Sequence, residues 1–443
     1  MDHVERLEDQ EHRQSNSMKS FYVHPKAWCC WLIIIQYGLI APLSIGQVEN
    51  VRVSPVDSNV VWVIPHAESP FENLWSTMDS LAYRHEGSLQ CLYVGGSHVQ
   101  AGWIGHGLRK RFSNWVSKSD ESRGLMLPYR MAETNTPTHF RSEIEGRWET
   151  NKCTSSKSLP PFGGTGIRVT TQENKAKWQH VAIRPDSSLF TCTEIEVWGR
   201  ASGCNPKWNG TSTPAIRSIL PDQRGWLFQF EEPVDTVAFC LEANGNGPIQ
   251  FDLFGMLAKT PQLNGPKFTM HEWGHNGAKM EHVLRCEGLG ESLGSMELDL
   301  ILIGIGINDA HASGLRWNPH DFESGYDSLI QTIRLAKPLA AIVLLTNTDS
   351  FRKRMNPDTN ALKIRDVLLG LAKKHRLGLY DMGKAMGGLG SIQRWHELGW
   401  AQDDLIHFTE EGYDQLTQLI FNSWRKAYAE NNHSALPFKR PQP

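Results

Sequence analysis

Residues 298–309 read LDLILIGIGIND, an apolar run that closes on glycine, asparagine and aspartate. Such a run is typical of a strand that is buried on both faces in a parallel sheet. A second run of this kind, AAIVLLT, occupies residues 340–346. The two runs predict buried parallel strands, and the first places Asn308 and Asp309 directly after a strand end.

The segments that follow these strands have helical periodicity. Residues 322–338 and 360–377 repeat apolar side chains at helical spacing, and each ends in a basic last turn that suits the helix dipole. Strands that alternate with such segments indicate a layered α/β domain with helices covering a parallel sheet.

The middle of the chain has a different pattern. Between residues 113 and 265, short alternating runs are separated by Gly, Pro, Asn and Asp, and they include GIRVTT, TEIEVWGR, WLFQFEE, TVAFCLEA and IQFDLFGMLA. This pattern predicts an all-β sandwich inserted into the α/β domain. The expected organisation is a leader at 1–46, a first α/β part at 47–112, the β insert at 113–265 and a second α/β part at 266–443.

The composition excludes some classes of function. The 443 residues are 40% hydrophobic and 21% charged, and the formal net charge is −3. Nothing in this balance indicates a disordered chain or a polyanion-binding surface, so nucleic acid is not an expected partner.

The first 46 residues predict export. Lys19 and Lys26 precede the apolar stretch AWCCWLIIIQYGLIAPL at 27–43, and small residues follow before Gln47. This order is typical of a signal peptide cleaved near Gly46. The long charged start leaves two alternatives open, initiation at Met18 or retention as an N-terminal anchor, and no other membrane domain is expected.

Export would place the later cysteines in an oxidising compartment. Six of them lack close CxxC spacing, so a zinc site is not expected, and either one or two disulfides or plain buried thiols fit the pattern: Cys91, Cys153, Cys192, Cys204, Cys240 and Cys286. Their pairing cannot be deduced from spacing.

Four short stretches carry polar residues at predicted strand ends. GGSHVQAG at 95–102 presents Ser97, WGHNGA at 273–278 presents Gly277, GIGIND presents Asn308, and DDLIHFTEEGY at 403–413 presents Asp404 three residues before His407. Each stretch alone has an ordinary structural reading as a helix cap, a turn or a surface hydrogen bond. Together they supply a nucleophile, oxyanion donors and a base with its orienting carboxylate.

This ordered set resembles the SGNH (GDSL-like) hydrolase superfamily. Its block I GDS matches residues 95–97, its block II glycine matches Gly277, its GxND block matches residues 306–309, and its DxxH block matches residues 404–407. The resemblance implies a three-layer flavodoxin-like fold and a triad of Ser97, His407 and Asp404. It also implies an oxyanion hole of Ser97, Gly277 and Asn308, with no metal or other cofactor.

One position departs from the family pattern, because Gly96 stands where block I has aspartate. The triad is unaffected, but glycine adds conformational entropy to the serine turn and removes a side-chain hydrogen bond, which is consistent with lower activity.

Two further groups of residues lie near the motifs or in the insert. His98, His271, His275 and His311 lack metal-ligand spacing and are expected at structural or substrate-rim positions. Trp103, Trp148, Trp208 and Trp226 are expected in cores, with sugar stacking as the alternative.

The amino-acid sequence at 97–112, 123–141 and 251–259 resembles a narrower branch of this superfamily. The branch comprises secreted esterases of bacterial cell envelopes and includes peptidoglycan O-acetylesterases with a carbohydrate-binding-like β domain. This resemblance implies an exported serine esterase that acts on O-acetyl groups of cell-wall or other glycans, or on another small ester. Two alternatives remain: a weak or inactive glycan-binding protein, and an O-acetyltransferase that uses the same site. The sequence gives no information on oligomeric state.

Overall fold

The computed structural model describes residues 56–65, 69–116, 119–260, 265–313 and 317–431. The predicted leader at 1–46 lies outside these residues and stays a prediction. Within the described residues, no helix combines the length and the apolar character needed to cross a membrane.

The α-helices in chain order are α1 Ser69–Asp79, α2 Ser97–Gln100, α3 Trp103–Trp115, α4 Met280–Val283, α5 Leu289–Gly294, α6 Ile307–Ser313, α7 Pro319–Ala336, α8 Asn360–His375, α9 Met382–Ala385, α10 Ser391–Glu397 and α11 Glu410–Asn431. A π-helical turn covers Ser80–Arg84, and a 3-10 turn covers Pro221–Gln223. The two amphipathic segments predicted from periodicity are α7 and α8, so both predictions are confirmed.

The strands in chain order are β1 Ser88–Gly95, β2 Asp120–Ser122, β3 Leu125–Met126, β4 Phe140–Glu145, β5 Glu149–Lys152, β6 Ile167–Thr171, β7 Lys177–Ala182, β8 Cys192–Ser202, β9 Cys204–Trp208, β10 Ile216–Ile219, β11 Gly225–Val234, β12 Val237–Ala243, β13 Gln250–Lys259, β14 Lys267–Gly274, β15 Leu300–Gly304, β16 Ala341–Leu345, β17 Phe351–Arg352, β18 Asn356–Pro357 and β19 Gly378–Tyr380.

Six of these strands form one parallel sheet in the order β19-β16-β15-β1-β14-β2. The predicted strands at 298–306 and 340–346 are β15 and β16, which pair directly with Leu300 opposite Ala341. β1, β14 and β15 lie side by side, so the chain segments that follow them emerge at the same carboxyl edge.

Most of the remaining strands form two antiparallel sheets. One has the order β10-β11-β8-β13-β6-β5, with β3 paired to β13, and the other has the order β4-β7-β12-β9. Phe239 of β12 packs on Phe228 of β11 with ring centroids 4.9 Å apart, which joins the two sheets face to face. This is the predicted β sandwich.

The sandwich strands β4 to β13 lie within the predicted insert. β2 also falls inside residues 113–265, yet it pairs in parallel with β14 at the edge of the α/β sheet. The chain therefore extends the parallel sheet by one short strand before it enters the sandwich. The domain limits and a carbohydrate-binding role for the sandwich stay predictions.

The apolar core explains how the two parts hold together. Successive residues of β1 point to opposite faces of the sheet. Leu92 and Val94 belong to one buried cluster that continues into the sandwich, whereas Cys91 and Tyr93 belong to a second cluster under α3 and α11. One face of the parallel sheet thus shares its core with the β insert, which fixes the insert close to the strand ends.

Candidate active site

The first part of the site is the sharp turn after β1. Ser97 is the first residue of α2, directly after Gly95 ends the strand and Gly96 caps the helix. A β-carbon at Gly95 would lie only 2.4 Å from Cγ2 of Val99. Glycine is therefore required for the helix to start so close to the strand, and this turn presents Ser97 at the carboxyl edge of the sheet.

The second part is the turn between α10 and α11 that holds Asp404 and His407, so this stretch follows a helix and its predicted place at a strand end is wrong. Oδ1 of Asp404 accepts from the backbone N–H of Ile406 and of His407, each at 2.9 Å. Leu405 takes a left-handed φ of 55°, which closes this turn. The carboxylate is therefore fixed by the backbone before it contacts the imidazole.

The structure brings the three predicted triad residues together. Oγ of Ser97 lies 2.8 Å from Nε2 of His407, although the two residues are 310 positions apart in sequence. Nδ1 of the same imidazole lies 2.6 Å from Oδ2 of Asp404. An ionised carboxylate can only accept, so Nδ1–H donates to Asp404 and Nε2 is left to accept the hydroxyl proton of Ser97.

The charge of Asp404 suits this arrangement. Partial burial raises the pKa of its carboxyl group, but the hydrogen bonds from the His407 side chain and from two backbone N–H groups outweigh burial and lower the pKa below its usual value. Asp404 therefore stays ionised near neutrality and can stabilise an imidazolium at His407.

The residues predicted for the oxyanion hole reach the same cavity. A cavity of about 510 Å³ is lined by Ser97, Gly277, Asn308 and His407 among others. Gly277 has a φ of 75°, a conformation that favours glycine, and Nδ2 of Asn308 donates to the Ala278 carbonyl at 3.0 Å. The loop after β14 and the turn after β15 are therefore tied together beside Ser97.

The surroundings of Gly96 give a reason for glycine at this position, where block I of the family has aspartate. A β-carbon at this position would lie 3.2 Å from Nδ2 of Asn308 and 3.8 Å from the His275 carbonyl oxygen. Any larger residue would need the Asn308 amide to shift by a few tenths of an ångström. In this chain the glycine leaves room for Asn308 directly beside the serine turn.

Sequence reasoning missed Gln100, which connects three segments of the site. Its Nε2 donates to Oγ1 of Thr134 at 3.0 Å and to the Asn135 carbonyl at 2.7 Å. Its Oε1 accepts from the backbone N–H of Asn276 at 2.6 Å. Gln100 stands three residues after Ser97, but its role depends on partners that are remote in sequence, so no local pattern identified it.

We expect Gln100→Leu to lower the free energy of unfolding by about 1–3 kcal/mol, because it leaves the partly buried N–H of Asn276 without its acceptor. Urea unfolding of the variant measures this loss. Gln393→Leu, on the exposed face of α10, is the matched control and is expected within about 0.5 kcal/mol of the wild type. An equal effect of both substitutions would contradict the role assigned to Gln100.

The four histidines near the motifs have different surroundings. His271 and His275 are both buried and form hydrogen bonds with the chain of the β insert. His271 accepts from the backbone N–H of Leu125, and His275 contacts the Thr165 carbonyl oxygen. His98 packs against the His407 ring with centroids 5.3 Å apart, and burial lowers the pKa of His98 to about 3, so it is neutral beside the base. His311 lines the cavity, with Nε2 2.8 Å from Oγ of Ser350.

Most of the cavity wall was not identified from sequence. Trp103 is the one of the four tryptophans that lines the cavity, whereas Trp226 is buried and Trp148 and Trp208 pack against the sandwich core. The other residues that line it are Ala101, Asn135, Asn276, Ile307, Gln402, Ile406, Phe408 and Tyr413. They come from several loops, so only the folded chain shows them as one surface.

Asp309 contacts the segment after Gly277, because its Oδ1 accepts from the backbone N–H of Met280 at 3.1 Å. Burial raises the pKa of Asp309 to about 6, although this bond lowers it. A carboxyl group whose pKa is higher in the folded than in the unfolded state binds its proton more tightly when folded. Its contribution therefore makes folding stability decrease as the pH rises from about 4 to about 6.

We expect Asp309→Asn to raise the free energy of unfolding by about 1–3 kcal/mol at pH 8, since it removes the cost of burying a carboxylate. The gain should vanish near pH 3, which lies below the pKa of the wild-type carboxyl group in both states. Urea unfolding at the two pH values measures it. Asp366→Asn, at an exposed aspartate of α8, should show no such pH-dependent gain.

Comparison with known proteins identifies a matching family model and a solved structure with a similar fold. Residues 256–415 match the sequence model of the GDSL-like Lipase/Acylhydrolase family. No curated protein matches the sequence significantly. A solved structure described as a peptidoglycan O-acetylesterase superposes with a TM-score of 0.66 and 17% identity over 83% of this chain and 99% of that chain.

Other solved structures match a smaller share of the chain. A GDSL-like lipase from Bacteroides thetaiotaomicron is 18% identical over 36% of this chain and 76% of its own, with a TM-score of 0.27. A carbohydrate esterase family 3 protein from Talaromyces cellulolyticus is 15% identical over 39% of this chain and 76% of its own, with a TM-score of 0.29. Residues 256–415 thus match the GDSL-like Lipase/Acylhydrolase family, and the longer neighbour shows that the fold of the chain is shared with a solved structure, which together support an SGNH (GDSL-like) hydrolase domain.

Proposed function

We propose that this protein is a serine esterase that removes O-acetyl groups from glycans. The observation that carries the proposal is the continuous contact from Oγ of Ser97 through His407 to Asp404, at 2.8 and 2.6 Å. These distances lie within the range needed for proton transfer between a hydroxyl nucleophile and its base.

In the first half of the reaction, His407 takes the hydroxyl proton as Oγ of Ser97 attacks the ester carbonyl carbon. The tetrahedral oxyanion is stabilised by the backbone N–H groups of Ser97 and Gly277 and by the Asn308 amide. Collapse of this intermediate breaks the bond to the sugar oxygen, which leaves with the proton held by His407, and the acyl group stays on Ser97.

In the second half, water replaces the sugar alcohol. His407 takes a proton from the water molecule, and the hydroxide attacks the acyl-serine carbonyl. The acid is released, and Ser97 regains its proton from His407. Throughout the cycle Asp404 holds Nδ1–H of the imidazole and offsets its positive charge.

The acetylated-glycan substrate is inferred from three features. The cavity of about 510 Å³ is large enough for a sugar ring beside a small acyl group. Trp103 and Tyr413 line this cavity and present aromatic surface. The solved structure that shares the fold along nearly its whole length is described as a peptidoglycan O-acetylesterase. The leader predicted at 1–46 is consistent with export to the cell envelope, where such glycans occur.

Release of acetate from O-acetylated peptidoglycan, compared with acetylated xylan and acetylated sialic acid, tests the substrate. We expect peptidoglycan to give the highest kcat/KM. Addition of an acceptor sugar should not change the yield of free acetate, because the proposed reaction transfers the acyl group to water. Acetyl transfer in place of acetate release would identify an O-acetyltransferase, and no turnover of any ester would favour a glycan-binding protein.

A further inference from the structure

Two buried cysteines meet where the β sandwich contacts the α/β domain. Cys153 directly follows β5, and Cys286 lies between α4 and α5; both side chains are buried. Both are free thiols in this structure, and Sγ of Cys286 donates to the His282 carbonyl at 3.5 Å. A β-carbon at Gly166 would lie 2.9 Å from Sγ of Cys153 and 3.2 Å from Sγ of Cys286, so both sulfur atoms converge on one point above this glycine.

The backbone around this pair is held by contacts on both sides of Cys286. The Arg285 guanidinium donates to the carbonyls of Ser155 and Ser158 at 2.9 and 2.8 Å. Oε2 of Glu287 accepts from the backbone N–H of Phe162 at 3.2 Å. The segment carrying Cys286 is therefore fixed against the loop that follows Cys153, independently of the sulfur atoms.

From this geometry we propose that Cys153 and Cys286 form a disulfide that joins the β sandwich to the α/β domain. The S–S bond forms as the two thiols lose two protons and two electrons. A low-molecular-weight disulfide such as oxidised glutathione accepts both, and is reduced to two thiols. The proposal does not depend on esterase activity.

The bond is expected to form while the chain folds. The hydrogen bond with Cys153 and burial raise the pKa of the Cys286 thiol well above its usual range, so little reactive thiolate exists in the folded protein at neutral pH. Once formed in folding, the bond is shielded from external thiols because both sulfur atoms are buried. It is therefore expected to be a structural cross-link, resistant to mild reduction.

The cross-link lies close to the loop that carries Gly277. Nε2 of His275 is within 2.7 Å of the Thr165 carbonyl oxygen, one residue before Gly166. The chain runs from His275 through Gly277 into α4 and then to Cys286. The bond would thus fasten both ends of this segment to the sandwich, and the long loop that it closes predicts a clear gain in thermal stability.

Peptide mapping of the full chain tests the proposal. The protein is refolded with a reduced and oxidised glutathione couple, remaining thiols are alkylated, and the unreduced digest is analysed by mass spectrometry. We expect one cross-linked peptide pair containing Cys153 and Cys286, which separates on reduction. Recovery of either cysteine alkylated in the folded protein, or bonded to another cysteine, would overturn the proposal.

Variants supply the matched control. Cys286→Ser should lose the cross-linked pair, whereas Cys192→Ser, at another buried cysteine in β8, should retain it. The oxidised wild type should melt on the order of 5 °C higher than the protein refolded under reducing conditions. Equal melting temperatures with the bond present would contradict the stabilising role. The mass readout is the same whether or not the protein hydrolyses esters, so failure here is distinct from failure of the proposed function.

Discussion

Ser97→Ala and His407→Ala are each expected to lower kcat/KM for p-nitrophenyl acetate by on the order of 10⁴-fold or more, with the fold retained. The loss is large because Oγ of Ser97 forms the new bond and Nε2 of His407, 2.8 Å away, takes its proton. Loss of either atom stops the same step. The double variant should therefore be about as slow as either single variant.

Two surface substitutions control for non-specific effects. Ser328→Ala lies on the exposed side of α7, and His396→Ala removes an imidazole that is 41% exposed in α10. Both should retain wild-type turnover. Wild-type rates in Ser97→Ala, measured on protein free of contaminating esterase, would exclude the serine mechanism.

Asp404→Asn is expected to lower kcat by about 10⁴-fold while leaving KM nearly unchanged. The carboxylate accepts from Nδ1–H of His407 at 2.6 Å and so selects the tautomer in which Nε2 is free to accept. An amide can instead donate to Nδ1, which moves the proton to Nε2 and leaves the base unable to accept from Ser97.

The neighbouring aspartate is a close control for this substitution. Asp403 is 93% exposed and contacts only the surface imidazole of His396 among the ion pairs of the described residues. Asp403→Asn should therefore keep wild-type kcat and KM. Similar kcat values for Asp404→Asn and the wild type would show that the carboxylate does not orient the base.

The α/β architecture was predictable because its signals are local. β15 and β16 are continuous apolar runs, and α7 and α8 have an apolar stripe that ends in basic residues. The motif residues were also identifiable, since each lies in a short polar stretch at or near the start of a helix. Thr409 caps α11, because its Oγ1 accepts from the backbone N–H of Gly412 at 3.2 Å.

Other features depend on contacts that sequence spacing does not encode. β2 has only the three residues DES, too few for a strand pattern, and joins the parallel sheet because it pairs with β14. Gln100 is a single polar residue in α2, and it connects parts of the site only through its hydrogen bonds with Thr134, Asn135 and Asn276. The approach of Cys153 and Cys286 to one another likewise depends on how β5 is placed beside the segment between α4 and α5.

The central claim is that Ser97 becomes the acyl carrier, and covalent labelling with an organofluorophosphonate tests it most directly. This reagent modifies a serine only where a base activates it. We expect tandem mass spectrometry to place a single adduct on Ser97 in the wild type and none in His407→Ala. Labelling of another serine, or equal labelling of Ser97 with and without His407, would contradict the proposed mechanism.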